Sequence, residues 1–345
     1  MKVGILTAGG DCPGLNAVIR AASRKLLIDG HEPVGILRGY EGLADGIFMP
    51  LDRRAVSGIL QLGGTILSTS SFNPYREPDG VARVQATIAR EGIDAVIAIG
   101  GEHTMAMTGR LHDEDGIPTI GVPKTIDNDV PETDFTFGFN SAVQIATYAI
   151  DRLHTTAQSH NRIMVLEVMG RNTGWIALFA GIAGGADAIL IPEVEQTVED
   201  IAAGIQKRHS RGVDFSIVVV AEGAKLAFAN GEKRIVRASE ETDAYGYPRL
   251  GGIGAALAHE LEAVTSFETR VTVLGHVQRG GTPTAMDRIL ATQFGVKAAE
   301  LAMAGDYGNM AALKGTEVVA VPLSQVKGFK TVDLRYLEIA RTFFG

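Results

Sequence analysis

The sequence predicts an α/β fold made of two Rossmann-like lobes, in which mainly parallel sheets are flanked by helices. Short apolar strand patterns alternate with helical patterns along the chain, which is typical of a parallel sheet with helices on both faces. Several strand patterns are almost continuously apolar, as expected for strands that are covered on both sides. The chain has 345 residues, of which 46% are hydrophobic, so it is long enough for about two domains with large cores.

The predicted elements follow one another in a regular order. Strand patterns cover residues 2–6, 33–37, 94–99, 162–168, 188–191, 216–221 and 270–274, and a further short apolar run starts at residue 119. A helical pattern covers 15–28, directly after the first strand and its turn. Apolar residues at helical spacing after Gly138 predict another helix, which continues through Leu153 and links the two lobes.

The loop after the strand at residue 119 carries a group of reactive side chains. Lys124, Thr125, Asp127 and Asp129 leave the end of this strand together, and open α/β folds place their ligands at the carboxyl ends of strands. One carboxylate can accept a proton from a substrate hydroxyl, a second can help to hold a metal, and a cation can offset charge on a moving phosphoryl group. This combination suits phosphoryl transfer, while Asn128 is expected to be a turn residue.

Two glycine-rich turns upstream have the same position after a strand. One runs from Gly9 to Gly14, and the other comprises Gly100, Gly101 and Glu102. Adjacent glycines let the backbone approach an anion closely, and the N–H groups that open the next helix can bind the anion. A single Gly-Gly turn is usually an ordinary connection, but three strand-end turns, two of them with carboxylates, indicate a phosphate site.

Five segments together resemble the 6-phosphofructokinase family, of the bacterial type and of its actinobacterial branch, whose members use ATP or pyrophosphate. The segments are Gly9-Gly-Asp-Cys-Pro-Gly-Leu-Asn-Ala-Val-Ile-Arg20, the Gly-Gly-Glu turn at 100–102, Pro123-Lys-Thr-Ile-Asp-Asn-Asp129, Met169-Gly-Arg171 and Gly275-His-Val-Gln-Arg-Gly-Gly281. They occur in the order of that family, and the two longest are far more specific than a lone glycine motif.

The resemblance implies a discontinuous pair of lobes. Residues 1–138 and about 278–328 would form the lobe that binds the phosphoryl donor and magnesium. Residues 139–277 and about 329–345 would form the sugar-phosphate lobe. The resemblance also implies a homo-oligomer, a dimer or a tetramer, in which the sugar site is shared between subunits.

The implied reaction is in-line phosphoryl transfer to the 1-hydroxyl of fructose 6-phosphate. The implied catalytic set is Asp127 as general base, with Thr125, Arg171 and Lys124 around the transferred group. Asp129 would hold the loop or the magnesium shell.

The sugar-binding residues are also implied by the resemblance. They comprise Thr125, Asp127, Asp129, Arg162, Met169, Gly170, Arg171, Glu222, Arg270, His276 and Arg279. Arg279 and His276 would bind the 6-phosphate, and Glu222 would accept hydrogen bonds from sugar hydroxyls. Arg162 and Arg270 would come from a neighbouring subunit.

The implied donor-binding residues lie around the glycine turns and a donor-side loop at 63–72. They are Gly10, Tyr40, Arg76, Gly101, Glu102, His103 and Thr104. Glu102 is the implied ligand of Mg²⁺, which keeps several waters and needs few protein carboxylates. Arg76 is the candidate replacement for an arginine that the family usually has at the position of Ser71.

The predicted donor is pyrophosphate, with ATP as the alternative. In the family, glycine at the position of His103 leaves room for a nucleotide, and aspartate there accompanies pyrophosphate. An imidazole should crowd a nucleotide much as aspartate does, and Lys124 could pair with a pyrophosphate oxygen. Tyr40 favours ATP instead, because ATP-using relatives place an aromatic residue near the adenine. Sedoheptulose 7-phosphate as the sugar, and a regulatory homologue that has lost catalysis, are further alternatives.

Composition and charge argue against several other classes of protein. A net charge of −8 does not suit a nucleic-acid partner, and no apolar stretch reaches the ~18–20 residues of a membrane span. The single cysteine, Cys12, cannot form an internal disulfide, suits a reducing cytoplasm and is expected to be a small filler. The first residues enter a strand after one lysine, so no signal peptide is expected, and the predicted location is the cytoplasm.

Overall fold

The computed structural model describes residues 1–242 and 248–344, and its fold is the predicted α/β class. The chain begins with β1 (Lys2–Thr7), α1 (Leu15–Ile28), β2 (Glu32–Ile36), α2 (Gly39–Asp45), β3 (Phe48–Pro50), α3 (Gly80–Glu91), β4 (Ala95–Gly100), α4 (Glu102–Asp113), β5 (Thr119–Thr125) and β6 (Phe137–Gly138). It continues with α5 (Phe139–His160), β7 (Ile163–Val168), α6 (Trp175–Gly184), β8 (Ala188–Leu190), α7 (Val198–His209), β9 (Ser216–Ala221), β10 (Leu226–Ala227) and β11 (Lys233–Arg234). The remaining elements are β12 (Arg237–Thr242), β13 (Pro248–Leu250), α8 (Ile253–Thr265), β14 (Thr269–Val273), a 3₁₀ helix (Gly275–Arg279), α9 (Ala285–Ala304), β15 (Asn309–Lys314), β16 (Glu317–Pro322), a short 3₁₀ turn (Leu323–Gln325) and α10 (Leu334–Arg341).

The described chain divides into two compact units. Unit 1 comprises residues 1–141 and 279–329, and unit 2 comprises residues 142–278 and 330–345. Residues 243–247 and 345, which the predicted sugar-phosphate lobe includes, lie outside the described residues. The assignment of one lobe to the donor and the other to the sugar stays a prediction.

The sheet of unit 1 places β5, β4 and β1 side by side. Within the described residues it has eight strands, in the order β16-β15-β5-β4-β1-β2-β3, with β6 paired to β5. The pairs β5–β4, β4–β1 and β1–β2 are parallel, while β15–β16 and β2–β3 are antiparallel. The chain leaves β1 toward β2 on one side and later adds β4 on the other side. Ligands bind at such a reversal of strand order in open α/β sheets.

The core of unit 1 lies on both faces of this sheet. Strand β4 is buried along its whole length, which is why its sequence is continuously apolar. Helices α1 and α9 pack together so closely at Gly295 that a Cβ on this residue would lie only 2.6 Å from the carbonyl oxygen of Val18. A side chain at position 295 would push these helices apart.

Unit 2 contains a separate parallel sheet. In the part of the chain that the structure describes, its strand order is β14-β7-β9-β8, and all three pairings are parallel. Apolar residues of α7 and α8 pack against these strands and form the core of the unit. The C-terminal segment belongs to unit 2, because Trp175 Nε1 donates to the carbonyl of Lys330 at 3.0 Å and Phe179 packs on Tyr336. Among the described helices, none combines the length and the apolar character that crossing a bilayer requires.

Candidate active site

The three turns singled out in the sequence lie together at the carboxyl ends of adjacent strands in the unit 1 sheet. They follow β1, β4 and β5, which are adjacent and parallel. The register pairs Thr7 with Ile99 and Gly100 with Pro123, so the three strands end at nearly the same level. A Cβ placed on Gly101 would lie 3.5 Å from the carbonyl oxygen of Lys124. The fold therefore assembles the glycine turns and the reactive loop into one site.

Lys124 joins two of these turns. Its side chain is only 4% exposed, and its Nζ donates a hydrogen bond to the carbonyl oxygen of Gly10. Burial lowers the pKa of Lys124, and the nearby guanidinium of Arg279 lowers it further, while Asp11 and Asp129 act in the opposite direction. The predicted pyrophosphate partner is thus a buried amino group that supports the first glycine turn.

The reactive loop alternates between buried and partly exposed residues. Ile126, Asn128 and Val130 are buried, and the residues between and before them are partly exposed. Those partly exposed residues are Thr125, Asp127 and Asp129. The backbone N–H of Asp127 donates to the Thr125 hydroxyl oxygen at 3.0 Å, which leaves the hydroxyl proton available for donation to a ligand.

Asn128 holds this loop in shape. It has a left-handed backbone with φ of 50° and is fully buried. Its Oδ1 accepts a hydrogen bond from the backbone N–H of Thr136 at 3.1 Å, and the Thr136 hydroxyl donates to the carbonyl of Thr125 at 2.9 Å. Asparagine tolerates this backbone conformation better than most residues, so Asn128 has the structural role expected from the sequence.

Arg279 lies beside the first glycine turn. Its Nη1 donates to the carbonyl oxygen of Asp11 at 3.3 Å, and a Cβ on Gly10 would come within 2.2 Å of that same nitrogen. A side chain at position 10 would therefore displace the guanidinium. The structure places Arg279 in unit 1 with the predicted donor residues, whereas His276 belongs to unit 2.

The donor-side loop is braced by the first turn and by α1. Thr69 donates to the carbonyl of Gly9 at 2.6 Å. Asn16 donates through Nδ2 to the carbonyl oxygens of Leu62 and Gly63, both at 3.2 Å, and its Oδ1 accepts from Ile66 at 2.9 Å. Asn16 was not among the predicted site residues, although its position inside the twelve-residue segment was a usable signal.

Arg76, the candidate replacement for the usual donor-side arginine, follows the donor-side loop. It is exposed, and its backbone N–H closes a turn onto the carbonyl of Asn73 at 3.0 Å. Its predicted role in donor binding stays a prediction.

Glu102 and His103 open α4 directly after Gly101. The Glu102 side chain is 14% exposed, whereas the His103 side chain is 46% exposed, and Nδ1 of His103 lies 3.1 Å from Oε2 of Glu102. Burial raises the pKa of Glu102, and the adjacent imidazole partly offsets this effect. The preceding turn is tight, because a Cβ on Gly100 would come within 2.4 Å of Thr104, which is buried.

Glu102 fits the chemistry of a magnesium ligand. A carboxylate oxygen is the donor that Mg²⁺ prefers, and this ion usually keeps several waters. Within residues 1–242 and 248–344, no group of three or more His, Cys, Asp or Glu residues could hold a metal ion. The predicted role of Glu102 as a magnesium ligand stays a prediction.

Tyr40, a predicted donor-binding residue, lies in the core of unit 1. Its side chain is 1% exposed, and its hydroxyl hydrogen-bonds the hydroxyl of Thr108 at 2.7 Å. The ring belongs to an apolar cluster that includes Leu6, Ile36 and Leu43, and burial raises the pKa of the phenol. The ring is therefore packed within the core, and its predicted place near the donor stays a prediction.

Cys12 is also a core residue. It is fully buried, and its thiol donates to the carbonyl of Phe137 at 3.7 Å. Burial raises the pKa of Cys12 to about 12, which keeps the thiol protonated at neutral pH. Its place inside the first glycine turn is therefore structural, as the sequence analysis expected.

Unit 2 contains a cavity that gathers several predicted sugar-binding residues. Its volume is about 490 Å³, which is within the range of small-molecule sites, and its lining includes Met169, Glu222 and His276. The turns after β7 and β9 touch, because a Cβ on Gly223 would come within 1.9 Å of the carbonyl oxygen of Arg171. Gly170 supplies the required left-handed backbone with φ of 136°. Arg171 and Glu222 are both partly exposed at the ends of these neighbouring strands.

Glu167 lines the same cavity and was missed by the sequence analysis. It is 3% exposed, and its two carboxylate oxygens accept backbone N–H groups of Gly252 at 3.2 Å and Gly254 at 2.8 Å. These groups open α8, whose positive end favours a negative charge. A single carboxylate within the otherwise apolar strand β7 was the available signal.

Arg162 and Arg270 lie at the amino ends of strands β7 and β14 in unit 2, away from the turns that follow these strands. Arg162 precedes β7, whereas Met169 follows it, and six strand residues span roughly 20 Å. Arg270 stands near the start of β14, opposite Met164 of β7. The structure therefore does not bring these two arginines to the cavity of their own chain.

Comparisons with known proteins show how far the likeness extends. A family model described as phosphofructokinase matches residues 2–302. A pyrophosphate–fructose 6-phosphate 1-phosphotransferase from Streptomyces coelicolor is 52% identical over 347 residues, which cover 100% of both chains. An ATP-dependent 6-phosphofructokinase 3 from the same organism is 48% identical over 346 residues, or 98% of each chain. The crystal structure of a pyrophosphate-dependent phosphofructokinase from Nitrosospira multiformis aligns with a TM-score of 0.84 over 100% of this chain and 92% of that one. At 19% identity, it supports the fold alone.

Proposed function

The chain belongs to the phosphofructokinase family, and on that premise we propose that it phosphorylates the 1-hydroxyl of fructose 6-phosphate in a Mg²⁺-dependent reaction. The product is fructose 1,6-bisphosphate, and the preferred donor is pyrophosphate. The observation that carries this proposal is the convergence of the two glycine turns with the loop that bears Lys124, Thr125 and Asp127. The proposed location is the cytoplasm.

The chemistry follows from the groups on the reactive loop. The sugar's 1-hydroxyl oxygen attacks the terminal phosphorus, the bridging bond to the leaving phosphate breaks, and Asp127 accepts the hydroxyl proton. Thr125 donates its hydroxyl proton to an oxygen of the transferred group, and Lys124 offsets negative charge beside the first turn. Magnesium, when bound at Glu102, would neutralise charge on the donor phosphates.

Recognition of the sugar is assigned mainly to unit 2. Glu222 and His276 line the cavity, where a carboxylate can accept from sugar hydroxyls and an imidazole can donate to a phosphate. Arg171 would contribute a bidentate cation near the reacting end of the sugar. Arg162 and Arg270 do not line this cavity of their own chain, and the resemblance to the family implies that they serve the cavity of a second copy in a homo-oligomer.

Pyrophosphate is favoured over ATP by three observations. His103 stands exposed at the start of α4, where it would crowd a nucleoside. Lys124 places its amino group under the first glycine turn. Tyr40, the feature that favoured adenine, lies in the core. ATP is the second candidate donor, because a relative named as ATP-dependent is almost as similar as the one named for pyrophosphate.

A donor screen tests the proposed function. Purified protein is incubated with fructose 6-phosphate, magnesium and, in turn, pyrophosphate, ATP, ADP or polyphosphate, and fructose 1,6-bisphosphate is measured by a coupled assay. We expect the highest kcat/KM with pyrophosphate and loss of turnover on chelation of magnesium. A parallel series with sedoheptulose 7-phosphate tests the sugar. Turnover with neither sugar would support the regulatory homologue instead.

Replacing His276 and Arg279 by alanine should separate two kinds of contact. We expect His276→Ala to raise the KM for the sugar phosphate about tenfold or more with little effect on the donor KM, because it removes a contact to a remote phosphate. Arg279→Ala should raise both constants, since the guanidinium also touches Gly10 and Asp11. Steady-state kinetics with each substrate varied in turn provide the measurement. An unchanged sugar KM in both variants would place the 6-phosphate elsewhere.

A further inference from the structure

Three charged side chains meet at the amino ends of strands β7 and β14 in the unit 2 sheet. Arg162 lies just before β7, and Glu268 and Arg270 flank the first residue of β14. Oε2 of Glu268 is 2.6 Å from Nε of Arg162, while Oε1 of the same carboxylate binds Nη2 of Arg270. One carboxylate therefore bridges two guanidinium groups.

The backbone around this cluster is fixed by strand pairing. The N–H of Ile163 donates to the carbonyl oxygen of Glu268 at 3.0 Å. The N–H of Thr269 donates to the carboxylate of Glu262 at 3.0 Å, and Nη1 of Arg270 donates to the carbonyl of Thr269, also at 3.0 Å. The hydrogen bond from Arg162, helped by the charge of Arg270, holds the pKa of Glu268 below its usual value. The bridging carboxylate is therefore ionised at neutral pH.

The bridge leaves donor groups for a ligand. A guanidinium has five N–H donors, and Arg162 uses Nε for Glu268, while its two Nη groups have no protein partner among the described residues. The Arg162 and Arg270 side chains are 27% and 52% exposed. Because one small carboxylate spans both guanidinium groups, a single phosphate group of similar size can contact both of them.

We propose that Glu268 is a positioning residue for sugar-phosphate binding, which holds Arg162 and Arg270 ready for the phosphate of a sugar bound in a second copy of this chain. This inference rests on the proposed function. Without the carboxylate, two long cationic side chains repel each other and spread into solvent, and binding must then restore their order. Exposed ion pairs contribute little to folding stability, so the loss should appear in substrate affinity.

The test is Glu268→Gln, assayed with the purified oligomer. Glutamine keeps the size of the side chain, but one end of its amide is a donor and cannot accept from a guanidinium. We expect the KM for fructose 6-phosphate to rise about tenfold, the kcat and the donor KM to change less than about twofold, and the melting temperature to stay the same. Glu268→Asp keeps the charge and should restore part of the affinity.

A matched control is available in the same unit. Glu260 is a partly exposed glutamate on α8 that pairs with Nη1 of Arg234 at 3.2 Å, so Glu260→Gln removes an equal charge from a similar pair. Its sugar KM should equal that of the unmodified protein. An unchanged or lowered sugar KM in Glu268→Gln overturns the inference, as does an equal rise in the control. If the unmodified protein fails to phosphorylate the sugar with every donor, the proposed function fails first and the inference fails with it.

Discussion

Asp127→Asn should reduce turnover by about 10²–10⁴-fold while changing the sugar KM far less. A general base acts on the 1-hydroxyl mainly in the transition state, so its loss lowers kcat more than ground-state binding. The hydrogen bond from the backbone N–H of Asp127 to Thr125 does not use the carboxylate, so the substitution leaves that bond in place. Initial rates at saturating donor, with fructose 6-phosphate varied, provide the measurement.

The control for this variant is Asp113→Asn. Asp113 is an exposed carboxylate at the end of α4 in the same unit, so the same chemical change there should leave kcat as it is. A melting temperature for each variant separates loss of chemistry from loss of fold. Near-normal turnover in Asp127→Asn would remove this residue from the mechanism and leave Asp129 as the loop's candidate base.

The elements predicted most accurately are those that a local pattern of residues determines. The predicted helix at 15–28 and the predicted strand at 216–221 coincide with α1 and β9. Apolar residues at helical spacing determine the first, and an almost continuous apolar run determines the second. Other strand ends depend on partners: β2 begins at Glu32, one residue earlier than predicted, because it pairs there with Lys2. Strands β15 and β16 were not predicted, since a partly exposed antiparallel pair has a weaker apolar pattern.

The site was predicted only where motifs are dense in sequence. The turns at Gly10, Gly101 and Lys124 could be placed at one edge because parallel strands end together. Tyr40 shows the opposite case, since its burial depends on packing among distant residues that no local pattern reveals. Glu167 accepts a hydrogen bond from Gly252, which is 85 residues away in the sequence. Glu268 binds Arg162, which is 106 residues away. Such long-range pairs become visible only in the folded chain.

The proposed donor preference is based on two side chains with different surroundings, His103 and Lys124. His103 has an exposed side chain on the first turn of α4, so His103→Gly should cost the fold only about 1 kcal/mol. Lys124 is buried and bonded to the carbonyl of Gly10, so Lys124→Gly leaves a cavity and removes that hydrogen bond. That change should reduce the free energy of unfolding by about 2–5 kcal/mol. Melting temperatures must therefore accompany the kinetics of every Lys124 variant.

His103→Gly combined with Lys124→Gly should shift the ratio of kcat/KM for pyrophosphate to that for ATP toward ATP. The double change removes both the imidazole that is proposed to crowd a nucleoside and the amino group that is proposed to pair with a small, highly charged donor. It leaves Asp127 and Thr125 intact, so phosphoryl transfer should continue. The single His103→Gly variant relieves crowding alone, and an ATP gain in it would identify the steric cause. His160→Gly, an exposed histidine at the end of α5, is the control for a general effect of removing imidazole. If the unmodified protein already prefers ATP, or if the ratio does not move in the double variant, His103 does not exclude the nucleotide, and donor choice must be set by other residues around the first glycine turn.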